Sequence, residues 1–126
     1  MLGANEHGDR VDGLEAVGSA AAVLGAQDAA RRIHSSEVVR AYVVALLART
    51  RADQRVELGA SPRAGLLLLR AAKARALLHG RDSVIPDDVK ALADPVLTHR
   101  IVLAPEAVQT SAKAVVDEAL AMTPAR

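Results

Sequence analysis

Few of the 126 residues carry side chains in a pattern that could do chemistry, and Arg63 is the one that stands out. It follows Ser61 and Pro62 directly. Serine accepts hydrogen bonds well at a helix N-cap and proline suits the first helical position, so the run predicts a helix start with an arginine in its first turn. A cation there faces the positive end of the helix dipole, at a cost of ~0.3–1 kcal/mol. An anion would relieve that cost. Free backbone N–H groups beside a guanidinium fork are what phosphate recognition uses, and the fork adds charge-assisted hydrogen bonds. The other reading of the same residues is a solvated surface arginine. Arg70, Lys73 and Arg75, farther along, read as solvated faces or snorkelling stems.

Other chemistries lack their residues. No glycine precedes Lys-Ser or Lys-Thr, so the phosphate loop of nucleotide hydrolases is missing. His7, His34, His79 and His99 never fall three or four apart, there is no cysteine, and Asp87 and Asp88 point in two directions on a helix, so no metal site is expected. No serine sits in a nucleophile elbow, and no catalytic residue is assigned. Sixteen basic against fifteen acidic side chains leave a net charge of +1, and one tyrosine is the whole aromatic complement. That argues against nucleic acid, which needs phosphate neutralisation and stacking surfaces. No apolar run approaches the ~20 residues that cross a bilayer, and Met1 to His7 has no basic-then-apolar pattern, so no membrane association is expected and cytoplasm is the expected compartment.

The elements that must position Arg63 are helical. Residues 1–18 carry four spaced glycines and no sustained apolar period, and they read as a flexible tail or linker. Ser19 can cap a helix from Ala20 to about Arg32, with Ala20, Val23, Leu24 and Ala30 near one stripe. Ser36 and Glu37 open a second helix with Val39, Val43, Leu46, Leu47 and Thr50 inward and Arg40, Arg49 and Arg51 toward water. A polar connection from Arg51 to Gly59 ends in a short extended piece. The helix of Ser61 runs to about His79 and is stopped by Gly80 as a left-handed cap; Leu66 to Leu69, Ala72, Ala76 and Leu77 predict burial between other elements. Pro86-Asp87-Asp88 opens another helix with Val89, Leu92 and Ala93 inward, Pro95 begins a further helical turn, and Ile101 to Leu103 is extended. Two short extended pieces could pair. Thr110 or Ser111 caps a last helix, carrying Val115, Val116, Ala119 and Leu120 to a stop at Thr123-Pro124. The expected fold is an all-α bundle of four to five helices with at most one very short strand pair.

Gly59-Ala60-Ser61-Pro62-Arg63-Ala64 resembles the second-sensor motif of AAA+ ATPases of the MoxR family. Leu69-Arg70-Ala71-Ala72-Lys73-Ala74, the run from Gly80 through Ile85-Pro86-Asp87-Asp88 to Lys90, and Val96-Leu97-Thr98-His99-Arg100-Ile101 resemble the same family's carboxyl-terminal lid in order and spacing, as do Arg32-Ile33-His34 and Tyr42-Val43-Val44. The likeness covers about residues 19–124. It implies a lid domain at 19–126, hinged to a nucleotide-binding core of the same protein in rings that are usually hexameric. It implies that Arg63 reaches the γ-phosphate of ATP, held with Mg by that core, and that Ser61 and Pro62 set the helix start. It also implies a chaperone-like role in maturing protein complexes, often beside von Willebrand factor A domain proteins.

Ile85 departs from the family, which often has threonine there, and the lost side-chain cap predicts a frayed helix start. The family's phosphate loop, acidic motif, first sensor and arginine finger have no counterpart in these residues. This chain alone is therefore expected to have no activity, the parent being an ATP hydrolase. An alternative function is a non-enzymatic interaction module, a histone-fold-like dimer, since a long central helix followed by Val84-Ile85-Pro86-Asp87-Asp88-Val89 fits such folds as well.

Overall fold

The computed structural model describes residues 13–125. The reading of residues 1–12 as part of a tail lies outside the described residues; residues 14–18 are exposed and carry neither helix nor strand. The described residues form five helices, α1 (Ala20–Arg32), α2 (Glu37–Ala52), α3 (Pro62–Leu78), α4 (Pro86–Leu97) and α5 (Ala112–Met122), with one short antiparallel pair, β1 (Val56–Leu58) and β2 (Val102–Leu103). This is the all-α bundle expected, with its single small strand pair. A 3-10 turn at Thr98–Arg100 joins α4 to β2.

Caps decide where the helices begin. The hydroxyls of Ser19, Ser36, Ser61 and Ser111 each accept a backbone N–H three residues on, at 3.1–3.3 Å. Each fills one of the donors a helix start leaves free. At the other end of α3, Gly80 adopts φ +68, a backbone state that costs glycine nothing, and its N–H and that of Arg81 close on the carbonyls of Leu77 and Ala76.

The core lies among α2, α3, α4 and α5, where Leu46, Leu68, Val89, Leu97, Val115 and Val116 are fully buried. Alanines at 64, 72 and 76 line the inner face of α3 and Ala93 that of α4, so the backbones approach closely. Two burial expectations change. α1 buries no residue, and Val23 and Leu24 are exposed, because among the described residues α1 packs mainly against α3. α3 does lie between α1, α2 and α4, but Leu66 and Leu78 are exposed, so the burial expected of Leu66 fails on one strip of that helix.

One further correction comes from the backbone. α4 continues through Pro95 instead of restarting there. Proline removes one hydrogen bond, to the carbonyl of Ala91, and only two helical residues follow, so the loss falls in the last turn of α4. The segment before α4 is tied down: the N–H of His34 donates to the Asp82 carbonyl and that of Val84 to the His34 carbonyl, at 2.8 and 2.9 Å, which ties the start of α2 to the end of α3.

Asp87 and Asp88 do diverge, and Asp88 turns inward. Its carboxylate is buried and takes both nitrogens of the Arg81 fork at 2.7 and 2.6 Å, with Arg75 Nε at 3.4 Å. It also accepts the Ile85 N–H at 3.0 Å, so the start of α4 is capped from inside the helix and does not fray for want of a threonine. Arg75 is thus an ion-pair partner rather than a solvated arginine. The Arg81 guanidinium, with the Ile85 N–H and Arg75 adding to it, holds the Asp88 carboxyl below the usual carboxylate range.

Breaking a buried pair by removing one partner leaves a charge uncompensated. Asp88→Asn is expected to lower unfolding free energy by about 3 kcal/mol at pH 7 in urea titrations. The carboxyl's folded pKa lies below its unfolded one, so its contribution is complete above the unfolded value and fades as pH falls through the folded value. The variant should therefore lose less stability than the parent when both are acidified below about pH 4.

Candidate functional site

Arg63 is aimed by the end of α2. Thr50, fully buried, donates its hydroxyl to the carbonyl of Leu47 at 2.8 Å and accepts the N–H of Ala60 at 3.1 Å. Arg51 donates to the Ala60 carbonyl at 2.8 Å. Both backbone groups of Ala60, itself fully buried, are thereby held by one turn of α2. Gly59 makes this possible, because a Cβ there would stand 2.7 Å from Arg51 Cα. Sequence reasoning missed this clamp, treating Thr50 as one of the inward positions and Arg51 as solvated. The available signal was the pair of small residues Gly59-Ala60 directly before a cap.

Ser61, Pro62 and Arg63 then follow as expected. Ser61 Oγ accepts the Ala64 N–H at 3.3 Å and the Ser61 carbonyl accepts from Gly65 at 3.3 Å. Pro62 has no N–H, so the first turn offers only the N–H of Arg63 itself to an outside ligand. The helix end is a poorer anion seat than the sequence implied, and the guanidinium carries most of any recognition. Arg63 is exposed, and among the described residues its side chain has neither a hydrogen-bond nor an ion-pair partner. By contrast Arg31, Arg55 and Arg81 each hold a carboxylate at 2.5–2.7 Å.

The other basic residues of α3 do different work. Arg70 is exposed, while Lys73 donates to the Arg31 carbonyl at 3.2 Å and so closes the end of α1. Beside Pro62 an open groove of about 430 Å³ runs between α2 and α3, floored by Val43, Val44, Leu47, Leu66 and Leu69. Among the described residues no group of histidines and carboxylates could hold a metal ion, and no helix is long and apolar enough to cross a membrane.

The family described as AAA lid domain matches residues 48–119, from the last turns of α2 to α5, with the clamp and Arg63 inside the match. The chain belongs to the AAA lid domain family. It is 37% identical over 85% of its length to a Bacillus subtilis protein, YeaC, of which it covers 33%. It is 47% identical over 53 residues to protein MoxR of Methylorubrum extorquens, covering 42% of the chain and 16% of that protein. It is 44% identical over 71 residues to chaperone MoxR1 of Mycobacterium tuberculosis, covering 49% and 19%. A crystal structure of an inferred ATPase from Cytophaga hutchinsonii superimposes with a TM-score of 0.71 at 30% identity, over 77% of this chain and 33% of that one. These relatives mark the domain as a lid of the MoxR type, and the chain spans no more than about a third of their length. The family match favours the lid over the histone-fold-like alternative.

The two roles at the start of α3 separate by stability. Thr50→Val keeps the shape of the lid domain but leaves the buried Ala60 N–H without an acceptor, and should cost about 1–3 kcal/mol. Arg63→Ala should leave unfolding free energy unchanged or slightly higher, since it removes a cation from the positive end of α3. Chemical denaturation of both variants checks the contrast.

Proposed function

We propose that this lid domain supplies Arg63 to the γ-phosphate of ATP bound with Mg on a core domain of the same protein. The observation that carries the reading is an exposed arginine with no partner among the described residues, at the start of a helix whose entry is clamped at Ala60. Solvent exposure leaves its donors open to a ligand, and a fixed helix start aims them. In mechanism the planar fork gives two charge-assisted hydrogen bonds to phosphate oxygens and stabilises charge that builds up during phosphoryl transfer. Ser61 and Pro62 set the helix start, and no residue of this chain acts as nucleophile or base.

In this reading residues 19–126 are the lid and residues 1–18 the link toward the core. Closing the lid couples hydrolysis to motion of a neighbouring subunit in a ring, expected to be hexameric. One of the similar proteins is named a chaperone, which supports a role in remodelling or maturing protein complexes. Von Willebrand factor A domain proteins are candidate partners, and the cytoplasm is the proposed site of action.

The lid alone should show no ATP hydrolysis and at best millimolar nucleotide affinity, because one fork and one amide offset little of the cost of association. Calorimetric titration with ATP and magnesium reads this, and micromolar binding or turnover would overturn it. Within an ATPase carrying this lid on its core, Arg63→Ala should cut turnover about a hundredfold and Arg63→Lys should rescue poorly, since a point charge cannot match the fork. Arg70→Ala on the same helix should change little. If Arg63→Ala instead unfolds the lid while turnover per folded molecule stays normal, Arg63 is structural and the phosphate assignment fails.

A further inference from the structure

We propose that the groove between α2 and α3 docks an acidic, amphipathic segment of a partner protein or domain, its apolar side chains on the floor and its carboxylates on an arginine rim. The floor is unusually open for so apolar a surface: Val44 and Leu66 are both 61% exposed, opposite one another across the groove. Such a patch rimmed by polar groups marks an interaction surface more often than a bare one. The rim is one-signed. Arg40 and Arg51 line the groove and, among the described residues, bond the carbonyls of Ser35 and Ala60 and no carboxylate.

The wider surroundings have the same sign. Two basic residues on α1, three on α2 and four on α3 share those helices with only Asp28 and Glu37. A net charge of +1 for the whole chain conceals this, because the compensating carboxylates belong to other elements. Electrostatic complementarity therefore selects an acidic partner and disfavours a basic one. The apolar floor selects a protein segment over a nucleic acid, whose recognition needs stacking aromatics that this surface lacks. An amphipathic helix laid in a groove meets both demands at once, with anchors at helical spacing. The inference goes beyond the phosphate reading, since neither the floor nor the rim of the groove includes Arg63.

The probe is a synthetic amphipathic peptide with leucines on one face flanked by glutamates, titrated at low salt into the full chain with labelled Val and Leu methyl groups. Signals of Val44, Leu66 and Leu69 should shift, and replacing the glutamates by lysines should weaken binding at least about tenfold. Leu66→Asp changes an exposed residue and should also weaken the acidic peptide about tenfold while the domain stays folded. Arg40→Glu should shift preference toward the lysine peptide. Equal affinity for both peptides, shifts confined to surfaces outside the groove, or indifference to Leu66→Asp would overturn the proposal. It would equally fall if the groove were already filled, either by Leu14 and Val17 of the same chain, seen as contacts in the peptide-free protein, or by a second copy, seen as concentration-dependent shifts.

Discussion

The direction of α3 governs everything at the Arg63 end of the molecule, and at its far end that direction depends on the carboxylate of Asp88. This one group holds Arg81 just beyond the helix, touches Arg75 within it and caps α4 through the Ile85 N–H. Three pieces of chain, α3, the connection after it and α4, thus meet at one buried charge. A hydrophobic contact could join α3 to α4 as strongly, but it would tolerate sliding; a carboxylate with its oxygens committed to a fork and an amide tolerates almost none. The inner face of α3, alanines at 64, 72 and 76 around the single buried Leu68, then packs at close range, and the ionic joint helps fix a register that small residues leave open.

At the near end the same helix is held by a hydroxyl and a guanidinium of α2. Thr50 and Arg51 take the N–H and the carbonyl of Ala60, so the residue before the cap cannot rotate. The two joints differ in their response to pH. The Asp88 joint weakens in acid, as the depressed carboxyl finally takes a proton, whereas the Thr50 joint has no proton to gain. Acid should therefore loosen α3 against α4 before it disturbs the start of α3. The Arg55 fork, shared between a half-buried Asp53 and an exposed Glu118, ties α5 to the connection before β1, and solvent on its Glu118 side screens that half of the contact.

Local chemistry made most elements legible. Serine caps at 19, 36, 61 and 111 and glycine at 80 act through neighbours three or four residues away, so their meaning is complete within a short window. Arg63 was legible for the same reason, as a cation out of place in a first turn. What stayed hidden needed partners distant in sequence: the pairing of His34 with residues 82–84, the burial of Asp88 and the grip of Thr50 on Ala60. Apolar periodicity misled where the covering surface is missing from the described residues. The stripe of α1 and the leucines of α3 are patterned for burial, yet Val23 and Leu24 on the first helix, and Leu66 beside the groove, remain in water. Net charge misled in a related way, since a sum over the chain discards where the charges lie.

At many helix starts several free N–H groups share a phosphate, and the site works wherever the anion happens to approach. Here proline has removed one donor and Ser61 has taken another, which leaves a single amide and a long side chain. Recognition that rests on one planar fork depends steeply on direction, because its two hydrogen bonds weaken together as the plane tilts. With the base of that fork fixed by the Ala60 clamp and the helix behind it fixed by Asp88, a change in its aim comes from moving the bundle as a body or from rotamers of the arginine itself. On the proposed reading this is the property a lid needs: the same few joints that make the domain stable make the contact with phosphate report the position of the whole domain.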